Sequence, residues 1–242
     1  MNRVDKKQQG FTLIELVLAM GFVGALLLAI ALTIIQVGAL YNQGTTLREI
    51  NQASRDISAD LRRSISSTGT IDIAKDYVTT APVGSPAGGR LCLGSYSYIW
   101  NYARAVAVND AAVTKYGTPP SAEVPILVKV PDTDKIYCSK DGSGALVYAN
   151  IRGADVAQAQ ELLKPGDHSL GIHQFNFITP IPASATNAAI DQSMYSLQFT
   201  IGTNSVTALN ATQTACLPAN DPNSDPRFCN VQQFTLVVRA GK

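Results

Sequence analysis

The fold of this chain is decided by the sequence GFTLIEL at residues 10–16 and by the uncharged run that follows it as far as Tyr41. Residues 16–40 contain no charged residue and no proline. At about 1.5 Å per helical residue, this run is about 37 Å long, which exceeds the ~30 Å hydrocarbon core of a bilayer. The sequence therefore predicts one membrane-spanning helix close to the N-terminus.

A single carboxylate, that of Glu15, lies at the beginning of this run. An acid at that position is costly in lipid, so it marks a functional site with a partner by default. The run itself contains no opposite charge. We therefore expect Glu15 to find its partner outside its own helix.

The first ten residues predict how the helix is oriented. Arg3, Lys6 and Lys7 outnumber Asp5, so the positive-inside rule places this end in the cytoplasm and the remaining 200 or so residues on the exported side. No clear Ala-x-Ala-like cleavage site follows the apolar run. We therefore expect the helix to be retained.

This order of features resembles the class III signal of type IV pilins and of type II secretion pseudopilins. The resemblance rests on the basic leader, Gly10, Phe11, the sequence TLIEL at residues 12–16 and the long apolar helix, and it covers residues 1 to about 45. It implies that a prepilin peptidase cuts between Gly10 and Phe11 and methylates the new amine. It also implies that Glu15 neutralises the N-terminal amine of Phe11 on a neighbouring subunit. A plain signal anchor with a stray acid is the alternative, and it leaves the order of residues 10–15 unexplained.

A second helical pattern continues beyond the apolar run. Apolar residues recur every three or four positions on one face, at Leu47, Ile50, Ala53, Ile57, Leu61 and Ile65, and charged residues occupy the other face. The sequence from Ser66 to Gly69 indicates the end of the helix. We therefore predict one helix from about Phe11 to about Ser66, apolar at first and then amphipathic.

The exported part has the pattern of β-structure. We predict strands near residues 70–73, 90–93, 96–102, 103–108, 126–130, 146–151, 172–179, 195–201 and 233–238, and a short helix at 155–163 that ends at Pro165-Gly166. In the strand at 172–179, strict alternation places Ile172 with Gln174 and Asn176 on one face and His173, Phe175 and Phe177 on the other.

The predicted fold class is α+β. A long N-terminal helix packs on a C-terminal antiparallel sheet, which is similar to the pilin fold. The predicted parts are a leader at 1–10, a membrane or filament-core helix at 11–41, its amphipathic continuation at 42–67 and an exported β-rich domain at 68–242. Residues 157–163 and 171–177 also resemble the larger J-type minor pseudopilins and the PilW-type minor pilins. The apolar helix lacks the proline of many major pilins, which favours a minor subunit.

Four cysteines, Cys92, Cys138, Cys216 and Cys229, all lie in the predicted exported part. An even number in an oxidising compartment indicates two disulfides, for which three connectivities exist. We favour Cys92 with Cys138 and Cys216 with Cys229.

Few residues suggest a metal or a cofactor. There is no Cys-x-x-Cys pair, and His168 and His173 are not at helical ligand spacing, so zinc is disfavoured. Asp221 and Asp225 are weak calcium candidates in a loop whose Asn, Pro and Ser residues are more often turn formers. No motif for a nucleophile, a zinc hydrolase or a phosphate loop is present. We expect no enzyme activity and no cofactor.

The net charge of +1, spread over a chain that is 15% charged, offers no broad basic surface, so nucleic acid is not an expected partner. The only aromatic-rich stretch contains Tyr96, Tyr98, Trp100, Tyr102 and Arg104. It would be a ligand surface in a tip subunit or an adhesin. Alternating aromatic residues of this kind more often form a core face.

These features predict a minor type IV pilin. Its alternative is a minor pseudopilin of a type II secretion system, and a further alternative is an anchored adhesin or ligand-binding tip subunit. The resemblance implies several partners, which are other pilins or pseudopilins, the prepilin peptidase, an inner-membrane assembly platform and membrane lipid. It also implies a single-pass protein of the bacterial inner membrane that later enters a filament.

Overall fold

The computed structural model describes residues 12–80, 86–117, 123–163, 169–178 and 194–241. The chain divides between Asn42 and Gln43 into two compact units. The architecture is α+β, with a long N-terminal helix and two antiparallel sheets.

The N-terminal helix, α1, spans Leu13–Ser66. In the first unit, its large apolar side chains from Leu13 to Tyr41 are exposed. Among the described residues, α1 is the one helix with the length and composition to cross a membrane. The predicted helix and its end at Ser66 are confirmed.

In the second unit, α1 buries one face. Its buried residues are Thr46, Ile50, Ser54, Ile57, Leu61, Ser64 and Ile65. Leu47 is 39% exposed, so the predicted stripe was wrong at this position, whereas the half-buried Ala53 packs against the core as predicted. Thr46, Ser54 and Ser64 are buried on this face together with the apolar residues.

The first sheet has five antiparallel strands in the order β1 to β5. They are β1 (Tyr77–Thr80), β2 (Gly88–Cys92), β3 (Tyr96–Asn101), β4 (Leu127–Pro131) and β5 (Gln160–Leu163). β2 begins with two glycines, because the backbone carbonyl of Trp100 lies where a Cβ of Gly88 would be and the Trp100 indole lies where a Cβ of Gly89 would be. A Cβ at Gly89 would lie 2.4 Å from an indole carbon.

The second sheet has three antiparallel strands, β6 (Leu170–Ile178), β7 (Met194–Thr203) and β8 (Val231–Arg239), in that order. The pairing of β6 with β7 shifts register between Ile172 and Gln174. This β-bulge at His173 places Ile172 in the core together with Phe175 and Phe177. The strict alternation predicted for this strand was therefore wrong at Ile172.

One core joins α1 to both sheets. Ile57 and Leu61 of α1, Trp100 of β3 and Phe175 of β6 all belong to it, and the ring centroids of Trp100 and Phe175 lie 4.0 Å apart. A second core covers the other face of the first sheet with Ile99, Val128, Tyr137 and Ile151. The first sheet is therefore buried on both faces, which explains why β2 has no alternating pattern.

Several predicted elements differ in the structure. A short helix, α2 (Ile73–Asp76), overlaps the strand predicted at 70–73, and α3 (Ala103–Ala107) replaces the strand predicted at 103–108. The three alanines in ARAVA have the highest helix propensity, and this outweighed the β-branched Val106. Residues 146–151 form only isolated bridges, at Leu146 and Ile151. The helix predicted at 155–163 is one turn, α4 (Gly153–Val156), followed by β5, and its predicted end at Pro165-Gly166 lies outside the described residues.

Candidate functional site

The strongest sequence candidates surround the beginning of α1. Gly10 and Phe11 lie outside the described residues. Thr12 immediately precedes the helix, and its backbone N–H donates to Glu15 Oε2 at 2.9 Å. The Thr12 hydroxyl also donates to Glu15 Oε2 at 2.8 Å, and it lies 3.4 Å from the Glu15 backbone nitrogen.

These contacts form a capping box, in which the first free N–H groups of a helix are satisfied by its own side chains. Glu15 therefore has a hydrogen-bonding partner within its own segment, whereas the sequence analysis considered only a partner of opposite charge. The Thr-x-x-Glu spacing is visible in the sequence and was the signal that could have revealed this cap. A neutral threonine leaves the negative charge of Glu15 uncompensated, so the capping box does not replace a cationic partner.

In the second unit, an ion pair holds α1 against the first sheet. Lys129 Nζ lies 2.9 Å from Asp60 Oδ1, and the two side chains are only 11% and 19% exposed. The Tyr98 hydroxyl lies 2.7 Å from Asp60 Oδ2 and 2.6 Å from Ser64 Oγ. Helix and sheet are therefore joined by charged and polar contacts as well as by apolar packing.

The cysteines pair as the sequence analysis favoured. Cys92 is bonded to Cys138 and Cys216 to Cys229, and the described residues contain no free cysteine. The first disulfide joins β2 to the turn at 136–138, and the second closes a loop just before β8. The first therefore ties an irregular segment to a sheet, and the second closes a loop within an irregular segment.

The calcium candidates form turns. Asp221 Oδ1 accepts a hydrogen bond from the Asn223 backbone N–H at 2.8 Å, and the backbone carbonyl of Asp225 accepts from Cys229 N–H at 2.9 Å. Within the described ranges, no three His, Cys, Asp or Glu side chains cluster closely enough to hold a metal ion.

The aromatic stretch lies mainly in the core. Tyr98 and Trp100 have no exposed surface, and Tyr102 is 7% exposed. Tyr96 remains partly exposed, and Lys129 Nζ lies 4.2 Å from its ring centroid. These side chains serve packing, which is the structural interpretation of the alternating pattern.

A polar cavity of about 260 Å³ lies at the bulge of β6. Tyr102, Arg104, His173, Gln174 and Gln213 line it together with Pro86, Asn176, Ala211 and Thr212. The buried ring of His173 lies with Nε2 3.1 Å from the carbonyl oxygen of Thr203. Burial lowers the pKa of His173, and contacts with Gln213 and the Thr203 carbonyl oppose this shift in part. His168, the other histidine, lies outside the described residues.

The lowered pKa of His173 predicts a pH dependence of stability. Below pH 6.5, the unfolded chain takes up a proton at this residue more readily than the folded chain does, so the free energy of unfolding should fall as the pH decreases. Thermal unfolding at pH 5 and pH 7 measures the difference. His173→Gln, which is neutral at both values, should reduce it. An equal pH dependence in the variant would contradict this assignment and leave carboxylates such as Asp155, whose pKa is also lowered, as the cause.

Comparison with known proteins adds no relative. No family model matches the chain, and neither a curated protein nor a solved structure matches it significantly.

Proposed function

We propose that this protein is a minor subunit of a type IV pilus or a closely related filament, with no chemistry of its own. One observation carries the proposal. An exposed apolar helix with the length and composition to cross a membrane begins at a capped carboxylate, Glu15, in the sequence context GFTLIE. A free-standing apolar helix of this kind needs either lipid or other helices around it, and a filament core supplies the second once the subunit leaves the membrane.

The carboxylate supports the filament more than a simple anchor. An anchor needs no acid at the edge of the lipid, where one is costly. In a bundle of apolar helices, a carboxylate and an amine are poorly screened and strongly favour the register in which they meet. Glu15 would then select the alignment of subunits more than it adds net stability.

The architecture of the second unit also supports this function. An amphipathic helix half that packs on antiparallel sheet is the arrangement expected of a pilin-like fold. Two disulfides agree with a periplasmic or extracellular location, since such bonds persist in oxidising compartments. The N-terminus would lie in the cytoplasm before assembly. The partners would be other pilins, a prepilin peptidase and an inner-membrane assembly platform.

Processing of the leader tests the proposal. Gly10→Val should block cleavage, because a glycine before the scissile bond lets the peptidase approach the backbone closely. Mass spectrometry of the mature wild-type protein should find N-methylated Phe11 at its start, and the variant should retain the leader of ten residues. Gly24→Val is the matched control, since a side chain at Gly24 meets no other atom within 4 Å and should leave cleavage unchanged. An intact Met1 on wild-type protein, from a strain with active prepilin peptidase, would contradict the proposal.

A type II secretion pseudopilus is the second candidate, because a helix without proline between Leu26 and Leu40 fits a minor pseudopilin equally well. The two candidates differ in the phenotype of a deletion. Loss of surface pili with normal protein secretion would favour the pilus, and loss of secretion with normal pili would favour the pseudopilus.

A further inference from the structure

A groove of about 490 Å³ lies between α1 and β8 in the second unit. Its walls are Phe234 and Thr235 of β8 and a helix face that contributes Asn51, Ser54, Arg55, Ser58, Ala59 and Arg62. Adjacent residues of a strand point to opposite faces of the sheet. Since Phe234 and Thr235 both line the groove, it opens at the edge of β8 and not over one face.

Within the described residues, the outer edge of β8 is not paired with another strand. β8 is the outermost strand of its sheet, pairs with β7 on one side only, and is nine residues long. On its outer side, its backbone makes no hydrogen bond with another described backbone group. Val231–Arg239 contains no lysine, no proline and no register shift, which are three of the devices that protect an edge strand from further pairing. An edge of this length without them is a template for another strand.

The positive charge of α1 beside the groove favours an acidic strand. Arg48, Arg55 and Arg62 recur every seventh residue, so they lie on one face of α1 about 10.5 Å apart. All three are exposed, and none forms an ion pair with a described residue. Among the described residues that line the groove, none is acidic. Between Arg55 and Arg62, the small side chains of Ser58 and Ala59 leave room beside the strand edge.

We propose that this groove binds an extended acidic segment of a partner protein, which adds a fourth strand to the β6–β8 sheet. The backbone of the segment would pair with the free edge of β8. Its carboxylates would meet Arg55 and Arg62. In a strand, side chains four residues apart share a face and lie about 13 Å apart, which flexible arginine side chains can span.

This inference goes beyond the proposed function, because the groove would accept such a segment whether or not the protein enters a filament. The probe is a fluorescein-labelled peptide, Glu-Thr-Val-Thr-Glu-Thr-Val-Thr-Glu. Its affinity for the full chain in detergent micelles is measured by fluorescence anisotropy. We expect saturable binding, and slower amide hydrogen exchange in Val231–Arg239 when the peptide is bound.

Three changes should each weaken the binding. Arg55→Glu with Arg62→Glu should lower the affinity about tenfold, since two attractive charge pairs are lost and the reversed charges repel the peptide. Ala59→Trp should abolish binding by filling the groove from an exposed position. The peptide with Gln in place of Glu should bind about tenfold more weakly to the wild-type protein.

Arg63→Glu is the matched control, because Arg63 is exposed on the same helix but does not line the groove. It should change the affinity less than twofold. The proposal is overturned by three results, which are no binding of the acidic peptide, equal affinity for the Gln peptide, or protection outside β8. Self-association of the wild-type protein that Ala59→Trp removes, without peptide binding, would also overturn it and assign the edge to a second copy.

Discussion

Glu15→Gln is expected to reduce incorporation of the protein into filaments about tenfold or more, while leaving its amount in the membrane unchanged. The glutamine oxygen still accepts the hydrogen bond of the Thr12 backbone N–H, so the cap at the beginning of α1 is preserved. Only the negative charge is lost. If a neighbouring subunit presents its N-terminal amine to this position, that amine then lies unpaired among apolar helices, which costs several kcal/mol.

The capping box supplies the control. Thr12→Val removes the hydroxyl that contacts the Glu15 carboxylate but keeps the charge and the Thr12 backbone donor. Loss of a cap hydroxyl costs about 1 kcal/mol in helix stability, so this variant should assemble nearly as well as the wild type. Immunoblots of sheared filaments measure how much of each variant, Glu15→Gln, Glu15→Ala and Thr12→Val, enters filaments. The signal is normalised to the amount of the same variant in the membrane fraction.

The pattern of results separates the two roles of Glu15. Failure of both Glu15→Ala and Glu15→Gln, with normal assembly of Thr12→Val, supports a charge pair between subunits. Normal assembly of Glu15→Gln would reject the charge pair and leave Glu15 as a helix cap.

Arg90→Met is expected to lower the free energy of unfolding of the second unit by about 3 kcal/mol, because it leaves one buried and two partly buried carbonyl oxygens without their donor. Arg90 lies in β2 with no exposed surface. Its guanidinium donates to the carbonyl oxygens of Tyr137 at 2.9 Å, Tyr148 at 2.5 Å and Ala149 at 2.6 Å, and to Thr114 Oγ1 at 3.2 Å. None of these carbonyls accepts a hydrogen bond from another described backbone N–H.

Methionine fills much of the volume of the arginine stem but leaves the buried Tyr137 carbonyl and the partly buried carbonyls of Tyr148 and Ala149 without this donor. Each unsatisfied buried group costs about 1–3 kcal/mol. The net loss of stability is smaller than the sum, because burial of the guanidinium is itself a free-energy cost in the wild-type protein. Burial lowers the pKa of Arg90 to about 10, so it remains charged at neutral pH. The effect should therefore be present across the physiological range.

The change in stability is measured by chemical denaturation of the full chain in detergent. Unfolding is followed by the fluorescence of the single tryptophan, Trp100, which is buried in β3 of the first sheet. Arg104→Met is the matched control, because Arg104 is exposed and makes no ion pair with a described residue. It should change stability by less than about 0.5 kcal/mol. Equal stability of the two variants would show that water or a shifted loop satisfies the carbonyls when Arg90 is absent.

The sequence alone determined the features that depend on local periodicity. The uncharged run and the three-and-four spacing after it predicted α1 to its last residue, because a helix of this length repeats its pattern many times. Alternation in β7 and β8 predicted those strands for the same reason. The capping box of Thr12 and Glu15 was equally local and could have been predicted from its spacing.

The tertiary structure decided the features in which distant segments meet. The carbonyls of Tyr148 and Ala149 accept hydrogen bonds from the Arg90 guanidinium, and residues 146–151 form isolated bridges in place of the predicted strand. The bulge at His173 exists because Ile172, Phe175 and Phe177 all pack in the core with α1, which no strict alternation allows. The free edge of β8 beside Arg55 and Arg62 likewise arises only when the helix lies along the last strand. Local pattern specifies where an element begins and ends, whereas burial and hydrogen-bond satisfaction across the whole fold decide which faces, bulges and edges it presents.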